Sequence, residues 1–376
     1  MVSRSDRGLM ARWWFTVDRP LLSAVLLLMA TGTLISMAAS PPVAERIGLD
    51  TFHFFKSQLM FLFPAAFALV AISFFEEKLA RRFAYGLLLV GLGLMGAALL
   101  WGPEIKGAHR WINFGPIGLQ PSELVKPAFV VIAAWFLAEH TRKPEMPGHL
   151  IAVMLALLFI GLLVVQPDFG QTALMVATFA AMLLIYGISW FVVGGLAALC
   201  AAGAGAAYTL LPHVTSRIDR FLNPDKGDTF QVDTATQAFA NGGLLGAGPG
   251  GGEAKRILPD AHTDFTFAVV GEEFGFVACV TLLLLFAFIV MRLLGRAKHE
   301  SDPFPALAVS GLAIVFGLQA IINMGVNVSL LPAKGMTLPF ISYGGSSLLG
   351  MAIAMGLALA LSRKRPNAAP LRGLPA

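Results

Sequence analysis

Residues 258–275 read LPDAHTDFTFAVVGEEFG and set His262, Asp264, Glu272 and Glu273 against FVACVTLLLLFAFIVM, a run with no charged residue. A single carboxylate at the mouth of an apolar helix is suited to take a proton from a hydroxyl group. Its ordinary alternative is structural, because an Asp at a helix start accepts hydrogen bonds from the first-turn N–H groups. Thr263 could cap instead and release Asp264 for chemistry. Glu272 and Glu273 lie roughly 12–14 Å further along the same helix. That is inside the apolar layer, where ionisable groups face the bundle interior or a watery cavity. They cannot both share the Asp264 face, so one reads as a structural carboxylate satisfied by another helix.

Upstream, EAKRILPDAHTDF supplies the cationic pair Lys255 and Arg256. Arginine suits two-pronged contact with phosphate; the plainer role is a solvated or headgroup-facing pair. The preceding GGLLGAGPGGG, 242–252, formally matches G-x-G-x-x-G at Gly246, Gly248 and Gly251. A dinucleotide fingerprint needs a strand before it and a helix after it, and Pro249 interrupts the match. No Gly-Lys-Ser/Thr follows, so a flexible turn is expected.

Three further segments carry polar groups beside apolar runs. QPSELVKP puts Glu123 and Lys126 on one helix face, as an ion pair or as the polar wall of a cavity. Arg110 and Trp111 have the makings of an interfacial anchor pair. VQPDFGQT, 165–172, reads as a tight turn carrying Asp168, with Gly170 permitting a left-handed backbone. LPAKGMTLPFISYGGSS, 331–347, combines Lys334 with Gly344-Gly345 ahead of Ser346 and Ser347. The N–H groups of such a turn can cup an anion.

The elements that hold these groups are membrane helices. Apolar residues make up 57% of the 376-residue chain and charged residues 13%, against about 25% charged in soluble domains. Stretches long enough to span a bilayer occur at 21–39, 57–75, 83–101, 124–139, 149–166, 171–188, 190–211, 266–293, 304–325 and 342–361. The fold class is therefore all-α and polytopic, with about ten transmembrane helices in one domain spanning 1–376. The first span is too long for a signal-peptide core and reads as an uncleaved anchor. Lys and Arg concentrate in the segments that alternate with the polar-rich loops, which places both termini in the cytoplasm. Residues 1–20 and 362–376 are then inner segments, and 212–265 is one long extracytoplasmic loop. Ala197, Ala201 and Gly205, and likewise Gly93 and Ala97, have the spacing that lets helices approach closely in lipid. Cys200 and Cys279 sit in apolar runs and make neither a disulfide framework nor a zinc site. The net charge of +5 comes from cations beside the apolar runs and is no nucleic-acid signal.

Taken together, outer cations, an isolated carboxylate and surrounding apolar helices fit a substrate with a lipid tail, a diphosphate and a polar head. GAHRWINFGPIGLQPSELVKP, QPDFGQT, LPDAHTDFTFAVVGEEFG and LPAKGMTLPFISYGGSSLL, in that order, resemble the SEDS family of shape, elongation, division and sporulation proteins. The resemblance covers nearly the whole chain, and the long loop is more similar to the division branch than to the elongation branch. It implies a peptidoglycan glycosyltransferase that polymerises lipid II at the outer face of the bacterial inner membrane, at the division septum. It implies Asp264 as the essential loop aspartate and Glu123 and Lys126 as the family's Glu and Lys. His262, Lys255, Arg256, Arg110, Trp111, Asp168, Lys334 and Ser346 complete the candidate substrate-binding set. No sequence motif fixes a metal, although the resemblance allows Mg²⁺ or Mn²⁺. A class B penicillin-binding protein transpeptidase and other divisome proteins are the implied partners. A lipid II flippase, an elongation-type polymerase and a non-catalytic scaffold are the rival readings.

Overall fold

The computed structural model describes residues 8–105, 107–115, 117–191, 194–195, 198, 202–203, 205, 208–209, 215, 230–258, 260–332 and 335–363. In chain order the elements are α1 (Leu9–Thr16), α2 (Arg19–Arg46), α3 (His53–Ser73), α4 (Glu77–Trp101), the hairpin β1 (Ile112–Phe114) and β2 (Ile117–Leu119), α5 (Pro121–Arg142), α6 (Gly148–Val165) and α7 (Phe169–Tyr186). They continue with α8 (Phe230–Gly242), α9 (Ala254–Ile257), α10 (Thr266–Lys298), α11 (Pro303–Asn327) and α12 (Gly345–Leu361). Among the described residues, 8 helices are long and apolar enough to cross a membrane, and α12 is a shorter apolar helix. These correspond to nine of the ten expected spans. The expected span at 190–211, with Ala197, Cys200 and Ala201, lies partly outside the described residues.

Local chemistry sets several helix starts. Asp18, Asp168 and Asp302 each accept a first-turn N–H, at the heads of α2, α7 and α11; such caps contribute about 1 kcal/mol each. Pro residues stand at the first turns of α2, α5 and α11, where a missing N–H costs nothing.

Helix α5 is the axis of the bundle. It packs on α4, α6, α11 and α12, and 83% of its apolar window is buried, against 22% for peripheral α3. Close approach is made by glycine. A Cβ on Gly91 would fall 2.5 Å from Val125 Cγ2, and one on Gly350 would fall 2.4 Å from the Glu123 carbonyl oxygen. The tight face of α4 is thus Ala84, Leu88, Gly91, Met95 and Ala98. The expected pair Gly93 and Ala97 lies off that face, because 3.6 residues per turn carries it round the helix.

At one end of the bundle, buried Asp18 accepts from Arg292 Nε (2.8 Å) and Arg296 Nε (2.6 Å). Burial alone would push its carboxyl up, but the two guanidiniums and the Leu21 N–H hold it below the ordinary value. Arg363 donates to the Phe74 carbonyl (3.0 Å) at the same end. The loops that bear the candidate site residues gather at the other end.

Helix α10 is broken. Gly275 adopts φ 78°, ψ −178° inside it, which frees main-chain groups at membrane depth. The glycine-rich segment fills the gap. Ala247 N donates to Glu272 O (2.9 Å) and Gly248 N to Glu273 O (3.0 Å), while Phe276 N and Val277 N donate to Gly243 O (2.9 Å) and Leu244 O (3.2 Å). Gly246, at φ 83°, passes so close that a Cβ would lie 2.2 Å from the Glu273 carbonyl oxygen. The expected flexible turn is therefore a docked plug. In lipid each unpaired main-chain group costs several kcal/mol, and four hydrogen bonds remove that cost here.

Candidate active site

Asp264 follows a turn in which its own N–H donates to Asp260 O (3.0 Å). Helix α10 begins only at Thr266, with Phe265 at the cap position and no side-chain cap bond. Neither Asp264 nor Thr263 is its cap residue. The first-turn Ala268 N–H is taken instead by Asn327 Oδ1 from α11, at 3.0 Å. Asp264 itself is half-buried.

The Asp264 main chain is held from α11. Asn323 Nδ2 and Asn327 Nδ2 each donate to the Asp264 carbonyl at 2.9 Å. Asn323 Nδ2 also donates to Met336 O (2.6 Å), and Gln319 Nε2 donates to Thr337 O (3.1 Å). Gln319, Asn323 and Asn327 stand one turn apart, so they form a ladder on one helix face. That ladder ties the Asp264 loop and the 335–337 segment to one rigid element. The carboxylate lies against this segment: a Cβ on Gly335 would be 3.3 Å from Asp264 Oδ2. The ladder was not singled out from the sequence, although Gln and Asn at a four-residue period inside an apolar helix are a readable signal.

Glu123 and Lys126 do pair. Lys126 Nζ is 2.8 Å from Glu123 Oε2. It also donates to Gln171 Oε1 (3.0 Å) and Gln319 Oε1 (2.8 Å), while Gln171 Nε2 donates to Glu123 Oε1 (2.7 Å). Lys126 is fully buried, so it lines no open cavity. Through Gln319 the network reaches Thr337, next to the segment that faces Asp264.

Lys255 and Arg256 part company. Lys255 is buried in an ion pair with Glu273, while Arg256 is exposed. Glu272 Oε1 accepts from Glu253 N and Ala254 N, both at 2.9 Å, and so holds the start of α9. Both glutamates are thus structural carboxylates, where one had been expected. Lys255 Nζ also donates to the Ala38 carbonyl of α2 at 3.4 Å.

The remaining candidates serve as braces. Arg110 Nε donates to Gln166 O (2.9 Å), and Nη2 bonds the Pro167 carbonyl. Its Nη1 lies 3.9 Å from Asp168, which also accepts from Gln120 Nε2 (3.1 Å). Arg110 is therefore a loop strut rather than an interfacial anchor. Burial pushes the Asp168 carboxyl above its ordinary value, against the opposing pull of Arg110. Trp111 is half-buried with its ring against Gly118. Ser346 accepts from Gln120 N (3.0 Å) and donates to Gly118 O (3.4 Å), and Ser347 bonds Thr337 (2.7 Å). Both serines are buried, whereas Gly344 and Gly345 of the turn are half-buried. The His262 ring packs at a tilt against Phe54, centroids 4.1 Å apart, and the His262 carbonyl accepts from Tyr343 N (2.9 Å). Lys334 lies outside the described residues. Among the described residues no three His, Cys, Asp or Glu side chains converge as a metal cage. A Mg²⁺ or Mn²⁺ held by these residues would rest largely on substrate phosphates.

The family model described as "Cell cycle protein", covering FtsW, RodA and SpoVE, matches residues 19–367. The chain is 44% identical over 369 residues to a probable peptidoglycan glycosyltransferase FtsW of Caulobacter vibrioides, covering 97% of this chain and 94% of that one. It is 36% identical to the FtsW of Methylococcus capsulatus, covering 94% and 92%. A solved structure titled for the structural coordination of polymerization and crosslinking by a peptidoglycan synthase complex superposes with TM-score 0.78 at 28% identity, covering 93% of this chain and 98% of that one. The rod shape determining protein RodA of Thermus thermophilus superposes with TM-score 0.68 at 26% identity, covering 93% and 97%.

Proposed function

This chain belongs to the FtsW/RodA/SpoVE family of cell cycle proteins, and from that premise we propose how its loop-bearing end works. The protein is a membrane-embedded peptidoglycan glycosyltransferase. Its substrate is lipid II, met at the outer face of the bacterial cytoplasmic membrane during septal wall synthesis.

Asp264 is the general base. The acceptor sugar hydroxyl oxygen attacks the anomeric carbon of the donor. The proton passes to the Asp264 carboxylate, and the bond from that carbon to the diphosphate oxygen breaks with its electron pair on the diphosphate. Attack opposite the leaving group inverts the anomeric centre and needs no sugar–enzyme bond. One observation carries this reading: Asp264 is fixed through its carbonyl by Asn323 and Asn327 (2.9 Å each), and its Oδ2 lies against the Gly335 segment that the same helix face holds. Removing a well-placed general base typically costs a factor of about 10²–10⁴ in rate.

A class B penicillin-binding protein transpeptidase is the proposed partner, with other divisome proteins around it. The test uses the purified protein with that partner and labelled lipid II in detergent. Wild type forms glycan chains, and Asp264→Asn lowers the rate at least a hundredfold. Equal chain formation by both proteins would end the general-base reading. No chains from either, with lipid II crossing a vesicle bilayer, would make the protein a flippase. Neither chains nor crossing would leave a scaffold.

A further inference from the structure

Among the described residues, three of the candidate cations for the leaving group are already engaged. Lys126 and Lys255 are buried in ion pairs, and Arg110 is bound to main-chain carbonyls. We propose that the donor's diphosphate and the start of its lipid tail sit in a cleft between the outer half of α2 and the 249–256 segment. The proposal rests on the glycosyl-transfer reading above and names a subsite for it.

The cleft encloses about 850 Å³. Its wall is apolar, with Leu34, Met37 and Phe274 along it. Leu34 and Met37 are 68% and 50% exposed on the surface of α2, so the cleft opens sideways, where a lipid chain in the bilayer can enter. Its mouth carries two guanidiniums, Arg46 and Arg256. Arg46 Nη1 donates to the Ile257 carbonyl at 3.1 Å, which sets it beside the residue that follows Arg256. Planar guanidiniums match phosphate oxygens two at a time. Lys255 also borders the cleft, but Glu273 neutralises it. Glu45 offsets one arginine and leaves an excess of positive charge at the mouth. An apolar trough with a cationic mouth is complementary to one tail bearing a diphosphate.

Asp264 does not itself line the cleft; the link to it runs through packed rings. Phe52 lines the cleft. Phe54, two residues on, packs at a tilt against His262, centroids 4.1 Å apart, two residues before Asp264. The proposal places the sugar carried on that diphosphate on the side of the cleft nearest the Asp264 loop. Charge that develops on the departing oxygens is met by groups already in place.

The experiment measures binding of undecaprenyl diphosphate to the purified protein in detergent by native mass spectrometry. Wild type and Asp264→Asn should bind alike, and Arg46→Gln/Arg256→Gln should bind at least tenfold more weakly. Undecaprenol, inorganic pyrophosphate and phosphatidylglycerol should each compete at least tenfold less well than the diphosphate lipid. Where the double variant fails to fold, Met37→Trp, which fills the trough, should give the same loss. Unchanged affinity in the double variant, or in Met37→Trp where that variant stands in, overturns the proposal. So does equal competition by phosphatidylglycerol. Polymerisation by Asp264→Asn at the wild-type rate would sink the general-base reading while leaving the cleft standing, so the two failures are separable.

Discussion

Lys126 offers a sharp test of the buried network. Its ammonium meets Glu123 at 2.8 Å, Gln171 at 3.0 Å and Gln319 at 2.8 Å, and it is 0% exposed. Lys126→Met keeps the stem and deletes the charge. Glu123 is then a buried carboxylate whose one remaining partner is Gln171 Nε2, and two glutamine oxygens lose their donor. Breaking a buried ion pair costs about 3–5 kcal/mol. The two lost hydrogen bonds would each add about 1.5 kcal/mol or more if independent. They share one donor with the pair, so the sum is not additive, and about 4–5 kcal/mol is expected. That is roughly a quarter or more of a typical stability of about 5–15 kcal/mol. Glu123→Gln/Lys126→Met removes both charges, and the amide oxygen introduced in place of the carboxylate can still accept from Gln171. The double variant should lose only about 1–2 kcal/mol, because a neutral pair of similar volume carries no desolvation penalty. Equilibrium unfolding in detergent micelles reads both. A double variant no more stable than the single one would refute the claim that the uncompensated charge sets the cost.

Other expectations follow from neighbouring geometry. Gly275→Ala puts a Cβ at φ 78°, 2.4 Å from Gly246 N; strain alone costs about 1–3 kcal/mol. Limited proteolysis should then cut within 242–252, and an unchanged digestion pattern would count against the docked plug. Asn323→Leu/Asn327→Leu should lower polymerisation toward the level of Asp264→Asn, and adding Asp264→Asn should lower it no further; multiplicative losses would mean that the ladder does not act through Asp264. The raised Asp168 pKa makes the folded state hold a proton that the unfolded chain has released. Its stabilising contribution is therefore full below about 3.8 and is lost as pH rises through the raised value. Relative to wild type, Asp168→Asn should gain stability as pH climbs from 4 toward neutral, measured by unfolding at stepped pH, and a relative loss would reverse the assignment.

What the sequence disclosed divides along contact distance. The spans are legible because bilayer crossing is a property of each run by itself. Glu123 and Lys126 are legible because i, i+3 neighbours must share a helix face. The plug was not, because whether glycines flex or dock depends on a partner near Gly275, a full loop further along the chain. The fate of Lys255 turned likewise on Glu273, 18 positions away, whereas the adjacent Arg256 remained exposed. The helix-capping question at Asp264 had no local answer either, since the acceptor for the Ala268 N–H comes from Asn327, 59 positions later. The one long-range device that could have been read was the ladder of Gln319, Asn323 and Asn327. Three amides on one face of a membrane helix have no solvent to satisfy them, so each must meet a polar partner. The partners they find are the carbonyls of Asp264, Met336 and Thr337. A bilayer removes water as a default partner, and so an amide stripe in a spanning helix marks where irregular backbone is being held. In this chain that backbone carries the proposed base.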